Sequence, residues 1–245
     1  MLVMRWNARP HPVDDGEITT VTETLMRSGQ DPKRVVAEGY DRMGKRFSAW
    51  NDARPPEVRS WFLRVVLARL PDGSSVLELG CGPGTDAAQL SAGQRYIGVD
   101  LSGVQLSIAK RRVPHAMFVL GDFTSMAFRP GSLDGVVAFY AFNHVPQDEV
   151  ESTLGQIFDW LRPGGRLMSS FLTTEADDRV ERWLGVPMFF AGFHLGSSER
   201  FVREKGFDLE LSEVRSEVDR QYGPSDSHWV IARKPGGDDA LHTRR

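Results

Sequence analysis

The chain has 245 residues, of which 40% are hydrophobic and 26% charged, and its net charge is −3. That is enough chain for one domain with a full core, and the charge balance gives no footprint for a nucleic-acid backbone, which favours a basic surface. The single cysteine excludes an intrachain disulfide framework, the apolar runs fall short of a membrane span, and the N-terminus is too polar for a signal peptide, so a cytoplasmic protein is expected.

Residues 1–30 mix Pro10, Pro12, Asp14 and Asp15 with little periodicity and read as a flexible arm, with one short helix over 21–27. Asp31-Pro32 starts a helix: an acid able to cap free amides, then proline at the first helical position. Val36, Tyr40, Met43, Phe47 and Trp50 continue it as an amphipathic stripe until Pro55-Pro56 breaks the pattern. A second helix is expected over 56–70, and Pro71-Asp72-Gly73 turns into the buried strand Val76 to Leu79.

That strand runs into Gly80-Cys81-Gly82-Pro83-Gly84 and a helix over 85–90. Strands then follow over 95–100, 117–120, 133–139 and 166–171, with helices over 104–112 and 149–161. Ser102 caps the first of these helices, and Pro163-Gly164-Gly165 stops the second. Five strand-then-helix units argue for a mostly parallel sheet covered on both faces. Segment 173–196 holds Trp183, Phe189, Phe190 and Phe193 and reads as a helix and loop inserted over the sheet. Two antiparallel closing strands follow over 207–214 and 228–233, and 235–245 reads as a disordered tail.

Sheets of this kind bind ligands outside the carboxyl ends of their strands. There the chain places Gly80, Asp100, Asp122 and the segment Tyr140 to His144. A dinucleotide turn, Gly-x-Gly-x-x-Gly, needs glycine at position 85, where this chain has Thr85. The observed spacing suits a nucleoside cofactor without phosphates. A strand-end acid such as Asp100 accepts from the vicinal hydroxyls of a ribose. Asp122, followed by Phe123, suits an adenine amino group and ring. Taken singly, each acid is equally a helix cap or turn residue; together and in order, they favour the cradle.

The chain resembles the class I S-adenosylmethionine-dependent methyltransferases of the small-molecule type. Val76-Leu77-Glu78-Leu79-Gly80-Cys81-Gly82-Pro83-Gly84 is similar to the family's first motif, and Gly98-Val99-Asp100-Leu101-Ser102 to its second. Gly121-Asp122-Phe123 resembles the adenine-contacting motif, and Leu133 to Ala138 with Asn143-His144-Val145-Pro146 the fourth. Leu161 to Leu167 is similar to the turn before the fifth strand, and Tyr40-Asp41-Arg42-Met43 with Phe47 to the N-terminal lid helix. The resemblance implies a Rossmann-like, doubly wound, mostly parallel seven-stranded sheet with helices on both faces, a helical lid over 31–70 and a C-terminal antiparallel strand pair. It further implies S-adenosyl-L-methionine as cofactor, S-adenosyl-L-homocysteine as product, and a methyltransferase domain over 31–234. Gly80, Cys81, Gly82 and Gly84 would bed the methionine part, Asp100 with Leu101 the ribose, and Asp122 with Phe123 the adenine. Ala138 and Phe139 would border the cofactor, and Tyr40 would close over the methyl donor, although it also fits a core position on the helix stripe.

Methyl transfer needs little beyond alignment of donor and acceptor, but a weakly acidic hydroxyl gains from a general base. His144, after the fourth strand, is the candidate base, with Tyr40 beside the reacting groups; packing next to the cofactor explains His144 equally well. His194 and His228 are weaker candidates. No cluster has metal-ligand spacing, so no metal is expected. The expected activity is methyl transfer to a small, specialised-metabolite acceptor, at oxygen ahead of nitrogen or carbon, with the aromatic insert Trp183 to Phe193 covering the acceptor, although its rings equally fit the core of the sheet's second half. The expected partner is that small molecule, without nucleic acid or membrane, in a monomer or homodimer. The alternatives are a non-methylating protein of the same fold, a cyclase or binder, and a nicotinamide-dependent dehydrogenase.

Overall fold

Asp31 accepts the backbone N–H of Lys33 at 3.0 Å and Pro32 follows, so α1 (Pro32–Met43) starts where the capping pair puts it. The computed structural model describes residues 30–53, 57–174, 177–194, 196–219 and 222–236. The expected helix over 21–27 and most of the expected arm and tail lie outside the described residues. The stripe does not run on as one helix. Gly44, at φ 49° and ψ −126°, turns the chain between α1 and α2 (Lys45–Ala53), a conformation that costs glycine least. The third helix, α3 (Glu57–Leu67), leads into the sheet.

Strand β1 (Ser75–Leu79) is buried beyond its first residue and pairs in parallel with β2 (Arg95–Asp100) and β4 (Leu133–Ala138). Adding β3 (Met117–Leu120), β5 (Leu161–Thr173), β8 (Asp208–Asp219) and β9 (Gly223–Arg233) gives one seven-stranded sheet in the order β3-β2-β1-β4-β5-β9-β8. Pairs β2–β3 and β4–β5 are parallel, whereas β5–β9 and β8–β9 are antiparallel. The strand order reverses between β1 and β4, the switch point at which such sheets bind ligands. The seven strands, their mostly parallel sense and the closing antiparallel pair are as expected. Segment 121–132 joins β3 to β4 by turns alone, so that unit has no helix.

Alternate residues along the strands face opposite layers. Leu77, Leu79, Val136 and Ala138 pack with Leu154 and Ile157 of α6 (Gln147–Trp160) on one side. Val76, Val137 and Met168 pack with Phe62, Val66 and Trp229 on the other, where Phe62 and Trp229 stack at 4.4 Å. The remaining helices are α4 (Ala87–Leu90), α5 (Gly103–Arg112) and α7 (Ser197–Glu204), with a 3-10 turn over Ala141–His144.

The insert corrects the expectation of a helix and loop. It is a second, two-stranded sheet, β6 (Arg179–Trp183) and β7 (Val186–Phe190), with Trp183 paired to Val186 across Leu184-Gly185. Both turn residues have positive φ, 48° and 80°, the backbone that a two-residue hairpin loop with native twist demands. Leucine at the first position hides that turn from the sequence. The hairpin lies against α1 at Gly39, where a Cβ would sit 2.7 Å from Met188 Cε and 3.1 Å from the Pro187 carbonyl oxygen.

Candidate cofactor and acceptor site

Gly80, Gly82 and Gly84 all adopt positive φ, at 64°, 52° and 75°, so the turn after β1 takes a path that other residues resist. Their surroundings differ. A Cβ at Gly84 would lie 3.0 Å from Ala109 Cβ and 3.1 Å from its Cα, so Gly84 lets α5 approach the turn. A Cβ at Gly82 would have Phe47 as its one close neighbour, at 3.7 Å, across open cavity. The backbone N–H of Gly82 donates to Asp100 Oδ2 at 2.8 Å, and that of Ser102 to Oδ1 at 2.8 Å. Burial outweighs these two amides and pushes the Asp100 carboxyl up to about 6. Each oxygen keeps a lone pair for a further donor.

Behind the turn, Glu78 is buried among apolar strands. Burial, reinforced by the charge of Asp86, pushes its carboxyl up to about 8 even though the Tyr96 hydroxyl donates to it. Arg59 chelates Asp86, with Nη2 at 2.8 Å from Oδ2 and Nε at 3.1 Å from Oδ1. Its Nη1 reaches Asn51 Oδ1 at 3.2 Å, and Asn51 donates to Thr85 Oγ1 at 2.8 Å. The lid, α3 and the glycine turn are therefore one hydrogen-bonded unit.

Asp122 is more heavily engaged than its sequence position suggests. Its Oδ1 accepts from the Thr124 N–H at 2.9 Å, and its Oδ2 lies 3.0 Å from Lys33 Nζ. Lys33 also bonds Glu149 Oε2 at 2.5 Å and Thr124 Oγ1 at 2.6 Å. Burial works against its charge, but the bonds to Glu149 and Asp122 win and raise its pKa. The start of α1 is thus tied across the ends of β3 and α6. Its far end is held by α5, where Gln105 Nε2 donates to the carbonyls of Tyr40 and Gly44 at 3.2 and 3.0 Å. Asp41 accepts from the hydroxyl of Ser102, the α5 cap, at 2.5 Å.

Tyr40 meets Phe47 at 4.8 Å and Trp183 at 6.1 Å, edge to face, and Trp183 meets Trp50 at 5.0 Å and Phe190 at 5.6 Å. The Tyr40 hydroxyl lies 2.8 Å from His144 Nε2, while His144 Nδ1 lies 2.7 Å from the Phe189 carbonyl oxygen. A carbonyl only accepts, so Nδ1 carries the hydrogen and Nε2 accepts from Tyr40. Burial lowers the imidazole pKa to about 4, against the raising effect of Phe189 O, so the ring is neutral at physiological pH. Tyr140, at the end of β4, is held at φ 61°. Its N–H donates to Ser170 Oγ at 2.8 Å and its hydroxyl to Glu217 Oε2 at 2.8 Å. Non-glycine residues in that region are uncommon and gather at ligand sites.

One cavity of about 360 Å³ joins these parts, a size within the range of small-molecule pockets. Gly80, Cys81 and Gly82 of the turn line it, with Asp100, Leu101, Asp122 and Phe123 at the strand ends and Tyr40, Phe139 and His144. Gly84 and Ala138 do not line it; Ala138 is wholly buried in β4 beside Ser169. Of the insert, Trp183 and Phe190 reach the cavity, whereas Phe189 and Phe193 are core. His228 is sequestered between Ser198 and Ser212, and burial lowers its pKa. Sequence reasoning missed Lys33, Asn51, Arg59 and Arg179, all on the wall. The first three act through partners remote in sequence, and no local pattern marks any of the four. Cys81 is buried and its thiol pKa raised by that burial and by the neighbouring acids, which makes it wall rather than nucleophile. Among the described residues no group of three or more His, Cys, Asp or Glu could hold a metal, and no helix is long and apolar enough to cross a membrane. A Cβ-free cradle at Gly82, beside a buried acid with lone pairs to spare, fits a nucleoside cofactor.

Comparisons with known proteins agree with that fit. Residues 76–165 match a family model described as a methyltransferase domain. The chain is 28% identical over 174 residues to a demethylmenaquinone methyltransferase of Symbiobacterium thermophilum, covering 66% of this chain and 67% of that one. It is 32% identical over 188 residues to a trans-aconitate 2-methyltransferase of Delftia acidovorans, covering 73% and 65%. The matches span between about half and two thirds of the length of such curated relatives. In fold it is similar to a 1,6-didemethyltoxoflavin-N1-methyltransferase of Burkholderia thailandensis solved with S-adenosylhomocysteine, with a TM-score of 0.64, 19% identity, and coverage of 93% of this chain and 100% of that one. The nicotinamide alternative gives way to these matches. The ordered motifs, the switch-point cradle and these matches together give the chain a methyltransferase domain over residues 76–165, in the fold of the class I S-adenosylmethionine-dependent methyltransferases that it resembles.

Proposed function

We propose that this protein transfers the methyl group of S-adenosylmethionine to an oxygen of a small molecule bound at the aromatic end of the cavity. The observation that carries the reading is the continuity of that cavity. It runs from the strand-end acids Asp100 and Asp122, past the Gly82 turn, to Tyr40, Trp183 and Phe190. The named substrates of the two curated relatives, a demethylmenaquinone and trans-aconitate, are themselves small molecules.

In this reading the two lone pairs left on Asp100 accept the ribose hydroxyls, charge-assisted. Phe123 and Leu101 flank the adenine, with Asp122 at its edge. Asn51 and Arg59, joined to Thr85 and Asp86, border the amino-acid tail. When bound, the cofactor supplies a methyl group on a cationic sulfonium that needs no further activation. Tyr40 and Phe47 offer ring faces to that charge, and the apolar wall excludes water that would compete with the acceptor. His144 positions rather than deprotonates: its Nδ1–H is fixed by Phe189 O, and its Nε2 fixes the hydroxyl of Tyr40.

Calorimetry with S-adenosylmethionine and S-adenosylhomocysteine, followed by label transfer from methyl-labelled cofactor into a metabolite extract, tests the reading. Saturable binding and a labelled small product are expected. Absence of saturable cofactor binding would overturn it, and intact cofactor after turnover of the acceptor would move it to a non-methylating reaction.

A further inference from the structure

Arg179 is the cation of the cavity wall that leaves a buried donor unmet. Lys33 is held by Asp122 and Glu149, and Arg59 by Asp86. Arg179, at the start of β6, gives its Nε–H to Glu181 at 3.0 Å, and its Cζ lies 5.9 Å from the centroid of the Phe190 ring. Its Nη1 is buried and makes no hydrogen bond. A buried donor without a partner costs about 1–3 kcal/mol, and a small turn of the guanidinium toward the cavity that Arg179 lines would bring Nη1 to an acceptor there. The guanidinium is a planar fork of donors suited to the two oxygens of a carboxylate. The acids of this wall already have donors: Glu181 takes Arg179 Nε, and Asp219 takes the Tyr222 N–H at 2.9 Å.

A second observation points the same way. The His144 ring lies 5.1 Å from that of Phe190, on the same wall, yet its Nδ1–H is given to a carbonyl and its Nε2 lone pair is filled by Tyr40. His144 is therefore no free base toward the acceptor, and an oxygen already ionised at neutral pH needs none.

We propose that the acceptor is a carboxylic acid, bound as its carboxylate by Arg179 with its apolar body against Trp183 and Phe190, and converted to a methyl ester. This rests on the methyl-transfer reading above. The carboxylate oxygen turned away from Arg179 forms the new O–C bond to the methyl carbon as the S–C bond breaks, and that electron pair stays on sulfur. The negative charge of the acceptor and the positive charge of the sulfonium cancel, and no proton moves. The ester no longer carries the charge that Arg179 holds, so product binds more weakly than substrate and leaves.

Trp50 and Trp183 line the cavity and report on it. Their fluorescence is titrated with cinnamate, cinnamamide and methyl cinnamate in the presence of S-adenosylhomocysteine, whose own affinity is measured first by calorimetry. Cinnamate is expected to bind about tenfold more tightly than the amide or the ester, the gain of one charge-assisted pair. Arg179→Gln is expected to abolish that preference and Arg179→Lys to keep part of it, with homocysteine-cofactor affinity unchanged in both. Equal binding of acid and amide, or a preference that survives in Arg179→Gln, would overturn the proposal. In turnover with methyl-labelled cofactor and a metabolite extract, mild alkali should release the label as methanol; base-stable label would replace the carboxylate by a hydroxyl, nitrogen or carbon acceptor. Failure of the cofactor product to bind removes the methyl-transfer reading itself, whereas binding without acid preference removes this inference alone.

Discussion

Asp100→Asn separates the charge of the ribose-side acid from its place in the fold. Burial lifts the Asp100 carboxyl from 3.8 to about 6, against the amides of Ser102 and Gly82. A shift of about two pH units corresponds to about 3 kcal/mol. Because the folded pKa is raised, folding favours the neutral acid: the penalty is absent below about pH 4 and complete above about pH 6, so the carboxylate destabilises the empty protein at neutral pH. Asparagine removes that penalty, yet its single oxygen serves only one of the two amides now held, at a cost of about 1–3 kcal/mol. The two changes nearly cancel, and the variant should melt within a few degrees of the parent. Affinity for S-adenosylhomocysteine should nevertheless fall about 30- to 150-fold, from the loss of charge-assisted bonds worth about 2–3 kcal/mol. The parent should itself bind about tenfold more weakly at about pH 5 than at neutrality, since a proton must leave Asp100, while the variant stays flat over that window. Calorimetry across that range, with melting curves at each pH, reads both effects. Unchanged affinity in Asp100→Asn, or parallel pH profiles in the two proteins, would refute the reasoning.

Three further substitutions probe other parts of the site. Gly84→Ala forces a side chain onto a positive φ and within 3.1 Å of the Ala109 backbone, so stability should fall by about 2 kcal/mol or more while the folded fraction keeps its cofactor affinity; weaker binding at an unchanged melting temperature would make Gly84 a cofactor contact instead. Lys33→Met leaves Asp122 and Glu149 without their shared cation and should cost about 1–2 kcal/mol, with faster amide exchange over 32–43; unchanged exchange would show that the tie does not hold α1. His144 is lowered by burial from 6.5 to about 4, so its stabilising effect is full above about pH 6.5 and lost as pH falls through about 4, some 3 kcal/mol in all. Urea titrations should therefore show a shallower acid limb in His144→Gln than in the parent, and an equally steep one would place the acid loss elsewhere.

The strand-end half of the cavity was legible because it is local. A strand, three alternating glycines and an acid at the end of the next strand sit within about thirty residues, and each owes its place to the strand it terminates rather than to distant contacts. The acceptor half is assembled from elements far apart in the chain, and there the sequence misled. Gly44 divides a continuous apolar stripe into two helices because its left-handed backbone overrides the periodicity. Leu184 occupies the first position of a turn that usually takes Asn, Asp or Gly, so the β6–β7 hairpin was hidden behind a run of aromatic residues. With the hairpin seen, the ring pattern sorts itself: β7 sends Phe190 to the cavity and Phe189 to the core, as the two-residue period of a strand requires. Arg59 and Lys33 gave no signal, since what makes them part of the site is the acid each one meets across the fold.

The two halves differ in polarity for a reason that bears on the chemistry. At the cofactor end the wall is a set of fixed donors and acceptors, Asp100, Asp122 and the turn amides, each with a defined partner. At the acceptor end it is Tyr40, Phe47, Trp50, Trp183 and Phe190, with the Arg179–Glu181 ion pair and Asp219 as its charged groups among the described residues. A transfer from sulfonium to carboxylate destroys two opposite charges, and such a step is slowed by water, which stabilises both charges before reaction and neither afterwards. An apolar enclosure removes that solvation, so the two charges attract more strongly as they approach. Arg179 works partly against this, because it stabilises the anion before transfer. Its pairing with Glu181 offsets that effect by drawing the guanidinium charge away from the acceptor. Glu181→Gln would thus hold the carboxylate more tightly and turn it over more slowly. An increase in cinnamate affinity without that slowing would mean that the pairing serves only to place the guanidinium.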